Sequence, residues 1–358
     1  MSLIENEKVE AANNSLNEEI KIIILGAGPT ALGSLNQIFK LKKDKLINEN
    51  INVCVIEQEE EIGGLARSVM DENGFCWDLG VHVMGISKYK NFVEAMEECV
   101  TEWEIIPRCA MVWTVPISQM GTSWLQGRVP LIDLSQLKRR CSLSHQKLLI
   151  EDESRQTAFR YPANCRGIGE MWKRFSERFP PKIFNFGQKV VEINSKTKNI
   201  FCLDKNGNKK KFNYNILIST IPLTELEKMI GINNLSKPLK HSTVILVGIG
   251  LFGGKNDFVK KLNKNNQFWS VLCEIGQSSD KELPLENEQK NKIFDKIIKD
   301  LISVGIINKK ENICSKWIKC LPFGYPIPTK ERDFILKECH KYLEKLQIYS
   351  RGRHFEDI

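Results

Sequence analysis

The sequence predicts an α/β fold whose parallel sheet opens on a glycine-rich turn. Three observations carry that reading. The apolar run IIIL at 22–25 is followed at once by Gly26-Ala27-Gly28-Pro29-Thr30-Ala31. A second apolar run, VCVI at 53–56, ends in Glu57. A second glycine turn, Gly63-Gly64-Leu65, then leads to Ser68 and to GFCWDLGVHV at 74–83.

Each piece has a physical reason. A strand buried on both faces reads as a continuous apolar run, as in a parallel sheet. Gly26 permits the tight turn after it, Gly28 lets the backbone approach a pyrophosphate, and Ala31 takes the third small position, where a helix packs closely on the strand. The amides at that helix start, Thr30 and Ala31 among them, face the phosphates, and the helix dipole favours their charge. The stretch behind them is amphipathic through Leu32, Leu35, Ile38 and Phe39. Glu57 stands where a carboxylate accepts hydrogen bonds from a ribose diol. Together the three motifs describe a Rossmann-like dinucleotide site, and their order favours FAD as the dinucleotide.

Further along, residues 88–104 have a helical pattern with Tyr89, Phe92, Ala95 and Met96 apolar. Residues 159–176 read as a strand, a glycine turn and a helix through Met171, Trp172 and Phe175. Residues 189–220 read as a β-meander with an Asn-Gly hairpin turn at 206–207, and its last strand is apolar enough to rejoin the parallel sheet. Strands are expected at 241–251, 267–275 and 312–321, with Gly324-Tyr325-Pro326 after the last, and helices at 286–304 and 330–345. The resulting division is a flexible tail (1–19), a first cofactor segment (20–87), a reduced helical lobe (88–158), a returning segment with the meander (159–250), a β-rich substrate lobe (251–328) and a closing segment (329–358).

Composition narrows the function classes. The chain has 358 residues, 42% of them hydrophobic, enough for two domains or one with an inserted lobe. No stretch approaches the about 18 uninterrupted apolar residues of a membrane span, and the polar start lacks a signal-peptide core, so a cytoplasmic protein with no membrane insertion is expected. Eleven cysteines are scattered without CxxC pairs, which speaks for buried thiols and no metal site. Net charge is +8, but the lysines lie in Asn/Lys-rich loops such as KNGNKKKF at 205–212, without the interleaved aromatics of a nucleic-acid surface.

The motif order resembles the flavin amine-oxidase superfamily and, within it, the eukaryotic UDP-galactopyranose mutases. The carriers are GAGPTALG, EIGGLARS, GFCWDLGVHV, VWTVPISQM with WLQGRV, FRYPANCRGIGEMW, STIP, HSTVILVGIGL, FWSVLCEIGQSS, GYPIP and SRGR, in sequence from 26 to 353. The first three are shared by many FAD oxidoreductases, and the VWTVP–WLQGR, FWSVLCEIGQSS and GYPIP segments narrow the match. The resemblance implies interconversion of UDP-galactopyranose and UDP-galactofuranose, a nucleotide-sugar substrate, and covalent catalysis at N5 of a reduced FAD, with NADPH as a possible reductant. It assigns cofactor contacts to Gly26, Gly28, Thr30, Ala31, Glu57, Gly63, Gly64, Leu65, Ser68, His82 and Val190. It assigns substrate contacts to Trp113, Arg128 and Tyr325, and catalytic roles to His82, Arg128, Tyr325 and Arg353.

Four features depart from that pattern. The stretch before VWTVP is short, the lid after VILVGIGL is short, and the chain is expected to be shortened after SRGR. Val81 stands where the family has a second glycine before the histidine. Two other readings stay open on these grounds: an amine-oxidase-type FAD oxidoreductase, and a catalytically silent FAD-binding homologue.

Overall fold

A computed structural model describes residues 19–80, 82, 90–100, 103–106, 159–232, 235–253, 268–281, 283, 286–307 and 312–352, with 103–106 and 159 described in backbone only. Contacts divide the chain into two compact units, one of residues 1–67, 172–238 and 332–358, the other of residues 68–171 and 239–331. The sequence division placed residues 68–87, 159–171 and 239–250 with the cofactor segments. Their contacts belong to the second unit, since their strands pair there.

The first unit is a parallel sheet with a small antiparallel one. Strand β1 (Ile20–Leu25) leads into helix α1 (Pro29–Lys43), and β2 (Ile51–Ile56) returns beside β1 in parallel. The sheet is completed by β7 (Phe184–Asn185), β11 (Ile216–Ser219) and β15 (Ile348–Ser350), in the order β15-β11-β1-β2-β7. Every pairing in it is parallel. Ile24 and Leu25 are fully buried, as a strand covered on both faces should be. Helix α1 buries Leu32, Leu35 and Ile38 of the stripe read from its periodicity, together with Ala31, and leaves Phe39 half-buried. The meander β8 (Lys189–Asn194), β9 (Asn199–Leu203) and β10 (Lys209–Asn213) turns at Gly207, φ +80°. Asp204 there accepts the amides of Asn206 and Asn208. Lys209 and Lys210 lie over the rings of Phe201 and Phe212, so part of the basic run covers apolar surface.

The second unit is built on a three-stranded antiparallel sheet, β13-β12-β14, of β12 (Lys240–Phe252), β13 (Phe268–Ser278) and β14 (Ile313–Ile327). One face of β12 presents Ile245, Val247, Ile249 and Leu251 to Phe294, Ile298 and Leu301 of helix α5 (Asn287–Ser303). On the other face β12 carries glycines. A Cβ on Gly248 would stand 2.7 Å from the Trp77 ring, and one on Gly250 2.6 Å from the Phe75 ring. Trp77, at 1% exposure, stacks on Trp317 of β14. The hairpin of β3 (Ser68–Met70) and β4 (Cys76–Asp78) carries these rings. Asp71 ties it down by accepting Trp77 Nε1 and Ser315 Oγ.

Two elements differ from expectation. The helix read over 88–104 is α2 (Lys90–Cys99), and the chain then forms β5 (Trp103–Ile106), paired antiparallel with β6 (Phe159–Pro162). Ala95, Met96 and Cys99 face inward, whereas Phe92 is 39% exposed. Strand β14 runs through Pro322 and Pro326 to Ile327 instead of stopping at 321. It is an edge strand, so a missing N–H on its open side costs no ladder bond, and a register shift between Ser242 and Val244 takes up the irregularity.

Gly248 and Gly33 make opposite tests of this packing. Gly248→Ala forces a methyl into the Trp77 ring and is expected to destabilise by about 1–3 kcal/mol. Gly33 sits in α1 with nothing within 4 Å of its missing Cβ, so Gly33→Ala is expected to stabilise by about 0.5–1 kcal/mol. Chemical denaturation of both variants checks the two signs.

Candidate functional site: a dinucleotide cradle

The parallel register sets the cradle. Leu25 lies beside Ile56, so both strands end together and release the chain into adjoining turns. The Gly26 amide donates to Ile56 O at 2.8 Å. Gly26 has φ +91°, and a Cβ there would meet Thr220 Oγ1 at 2.4 Å, so only glycine fits. Gly28 begins helix α1 with no side-chain cap and no acidic residue in the first turn, and Pro29 opens the helix. The amides of Thr30 and Ala31 at this end thus have no capping side chain. The end is suited to an anion.

The second glycine turn closes on the first. Gly63 N donates to Ala27 O at 2.8 Å, and a Cβ on Gly64 would come within 3.2 Å of Gly28 Cα. Leu65 lies in the short helical turn that follows (Gly64–Ala66). By contrast, the position of a Cβ on Gly28 is clear: its nearest neighbour is Gly64 Cα at 3.8 Å. This opening beside uncapped helix amides is where a pyrophosphate would lie, and it fits the group that the motifs imply.

Glu57 is 7% exposed and lies over the turn. Its Oε2 accepts the Ala27 amide at 2.7 Å and its Oε1 the Glu59 amide at 2.9 Å. A carboxylate offers about four acceptor positions, so both oxygens can still accept from a vicinal diol. Burial raises the Glu57 pKa above its ordinary value, opposed by the two amides and reinforced by the charge of Glu59. Val190 is buried on β8, an edge strand whose ladder bulges between Val190 and Glu192.

Other assigned residues lie in the second unit. The Ser68 hydroxyl donates to Asp78 Oδ1 at 2.5 Å and accepts the Gly169 amide at 2.7 Å. Asp78 also accepts the Ile168 amide and the Tyr161 hydroxyl. The Ser68 hydroxyl oxygen therefore serves the start of helix α3 (Ile168–Ser176), while its proton is held by Asp78. His82 is half-buried and follows Gly80, φ +130°. A Cβ on Gly80 would be 3.2 Å from both His82 Cε1 and Glu274 Oε1. Tyr325 donates its phenol to Glu274 Oε2 at 3.0 Å. The second unit thus gathers His82, Glu274 and Tyr325. Glu274 lies within the FWSVLCEIGQSS segment, where no local signal marks it for this role. With its proton on a carboxylate, the Tyr325 oxygen is left as an acceptor, a match for a hydroxyl more than for a phosphate oxygen. Trp113, Arg128 and Arg353, together with Val81, lie outside the described residues. Among the described residues, no group of His, Cys, Asp and Glu could hold a metal, and no helix is long and apolar enough to cross a membrane.

Two substitutions separate the roles of the glycines. Gly28→Ala is expected to leave the melting temperature near wild type while abolishing dinucleotide binding, whereas Gly26→Ala unfolds the turn; thermal melts with and without ADP read both. The raised Glu57 pKa has a signed consequence for the ligand-free protein. The stability contributed by the neutral carboxyl is fully present below the ordinary value of 4.5 and is lost as pH rises through the raised one. Glu57→Gln removes this slope, which denaturation at several pH values between about 4 and 8 would show.

Comparison with known proteins places this architecture. Residues 44–104 match the family described as flavin containing amine oxidoreductase. A crystal structure of reduced UDP-galactopyranose mutase superposes with a TM-score of 0.75 at 23% identity, covering 94% of this chain and 88% of that one. A putative protoporphyrinogen oxidase from Exiguobacterium sp. 255-15 gives 0.64 at 11% identity, covering 94% of each chain. A fatty acid isomerase from P. acnes gives 0.57 at 10% identity, again covering 94% of each. The mixed α/β architecture read from the sequence is the fold of this chain, and it is the fold shared by these oxidase, isomerase and mutase structures.

Proposed function

We propose that the chain binds FAD through the cradle of the first unit and acts as a UDP-galactopyranose mutase, interconverting the pyranose and furanose forms of UDP-galactose. The observation that carries the cofactor is the Glu57 carboxylate, held by the amides of Ala27 and Glu59 beside the opening at Gly28. The mutase-type segments of the sequence and the superposition on a mutase support the substrate.

Reduced flavin supplies the nucleophile in such chemistry, and NADPH is the proposed reductant. The chain's own part is to bind, orient and exclude water. Gly28, Thr30 and Ala31 receive the diphosphate of the cofactor, and Glu57 its ribose. Gly63, Gly64 and Leu65 wall the turn, and Val190 offers its strand edge. In the second unit, Glu274 fixes the phenol of Tyr325 as an acceptor for a sugar hydroxyl, with His82 alongside. Trp113, Arg128 and Arg353 are proposed to complete the substrate contacts, and the cytoplasm is the proposed location.

A second reading, an amine-oxidase-type FAD oxidoreductase, is favoured by the family match at residues 44–104. The purified protein separates them. Dithionite-reduced protein should convert UDP-galactofuranose to UDP-galactopyranose. Oxygen uptake with amines and no such conversion would support the oxidase instead. A flavin-loaded protein inert in both assays would leave the silent homologue. In an active mutase, Tyr325→Phe and Glu274→Gln each remove one half of a hydrogen-bonded pair. Each is expected to lower kcat/KM about ten-fold, equivalent to about 1.4 kcal/mol, measured by steady-state kinetics.

A further inference from the structure

We propose that Arg67 and Glu59 form a clasp that orients the Glu57 carboxylate, and so set the preference of the cradle for a nucleotide with a free ribose diol. The proposal rests on the dinucleotide reading above. Its basis is a closed ring of contacts within the first unit. Ala27 N donates to Glu57 Oε2, and Glu59 N donates to Glu57 Oε1. The Glu59 carboxylate accepts Arg67 Nη2 at 3.1 Å. Arg67 ends the turn that begins at Gly63, whose amide returns to Ala27 O. Both glycine turns and the ribose carboxylate are thereby linked in one circuit.

The circuit matters because Glu57 is held unequally on its two flanks. One flank is pinned by backbone. Glu57 N donates to Asn185 O, Gln188 N to Glu57 O, and Gly187 N to Glu59 O. The flank toward the glycine turns is held by the single amide of Ala27 and, through Glu59, by the side chain of Arg67. The Arg67 side chain is 15% exposed and that of Glu59 48%, so the pair is partly sheltered. Arg67 Nε is buried with no hydrogen-bond partner among the described residues. The guanidinium thus keeps its pairing with Glu59 while one of its donors goes unsatisfied, a cost a purely solvated arginine would avoid. Neither residue need touch the ligand. Each is a positioning residue, because a vicinal diol requires both carboxylate oxygens at the correct angle and spacing from the phosphate turn.

The test uses the whole 358-residue chain, free of flavin, with ADP and 2′-deoxy-ADP as probes in titration calorimetry. Wild type should bind ADP more tightly than 2′-deoxy-ADP. Arg67→Gln and Glu59→Gln should each shrink that ratio about three-fold, the size expected of a partly exposed ion pair. The double variant should be no worse than either single one, since one interaction is removed in all three, and the charge swap Glu59→Arg with Arg67→Glu should restore the ratio. An unchanged ratio in either single variant, whatever happens to its melting temperature, overturns the clasp. Equal loss of both probes in Arg67→Gln, with Glu59→Gln like wild type, also overturns it and makes Arg67 a direct phosphate ligand. Failure of wild type to bind ADP overturns the dinucleotide reading as well, so the two failures are told apart.

Discussion

The hydrogen bond from the Ala27 amide to the Glu57 carboxylate is the contact on which the cradle depends. It exists because β1 and β2 run in parallel register and end side by side, so the turn that follows β1 meets the residue that follows β2. A buried carboxylate is costly unless its lone pairs are met. Two amides meet half of them here, and burial still pushes the group toward its neutral form. A ribose diol would supply the missing donors. On the proposed reading, binding and ionisation at Glu57 would be coupled, with amides for the phosphates of the ligand and the carboxylate for its sugar.

The second unit solves a different problem, bringing polar groups from distant segments onto one sheet. Strand β12 is central and buried on both faces, with aliphatic side chains on one and glycines opposite two flat rings on the other. Those glycines let the β3–β4 hairpin lie close. Its continuation carries Gly80 and His82 to Glu274 of β13, which in turn holds Tyr325 of β14. Three segments far apart in sequence thus share one acidic centre. The hydroxyl of Ser68 is used nearby to cap α3 jointly with Asp78. A residue resembling a cofactor contact can equally be a fastening of the scaffold.

What was legible in the sequence was local. The glycine turns, the acidic end of β2 and the Asn-Gly hairpin declare themselves because a few adjacent residues determine them. The opening at Gly28 and the buried carboxylate beside it were readable for that reason. Pairing over distance was not. Glu274 gains its meaning only from the register of β13 and β14 on either side of β12. Arg67 and Glu59, eight residues apart, look like ordinary surface charges until the turn between them is folded. The helix read past Cys99 failed similarly, because residues 103–106 pair with a strand more than fifty positions away. In β14 the prolines suggested an end, but an edge strand tolerates them.

The most direct measurement is competition at the cradle in the purified protein. Flavin fluorescence should report FAD binding that ADP displaces and FMN does not, because the adenosine diphosphate half is proposed to lie against Gly28, Ala27 and Glu57. Tight binding of FMN, or FAD binding indifferent to saturating ADP, would contradict the account.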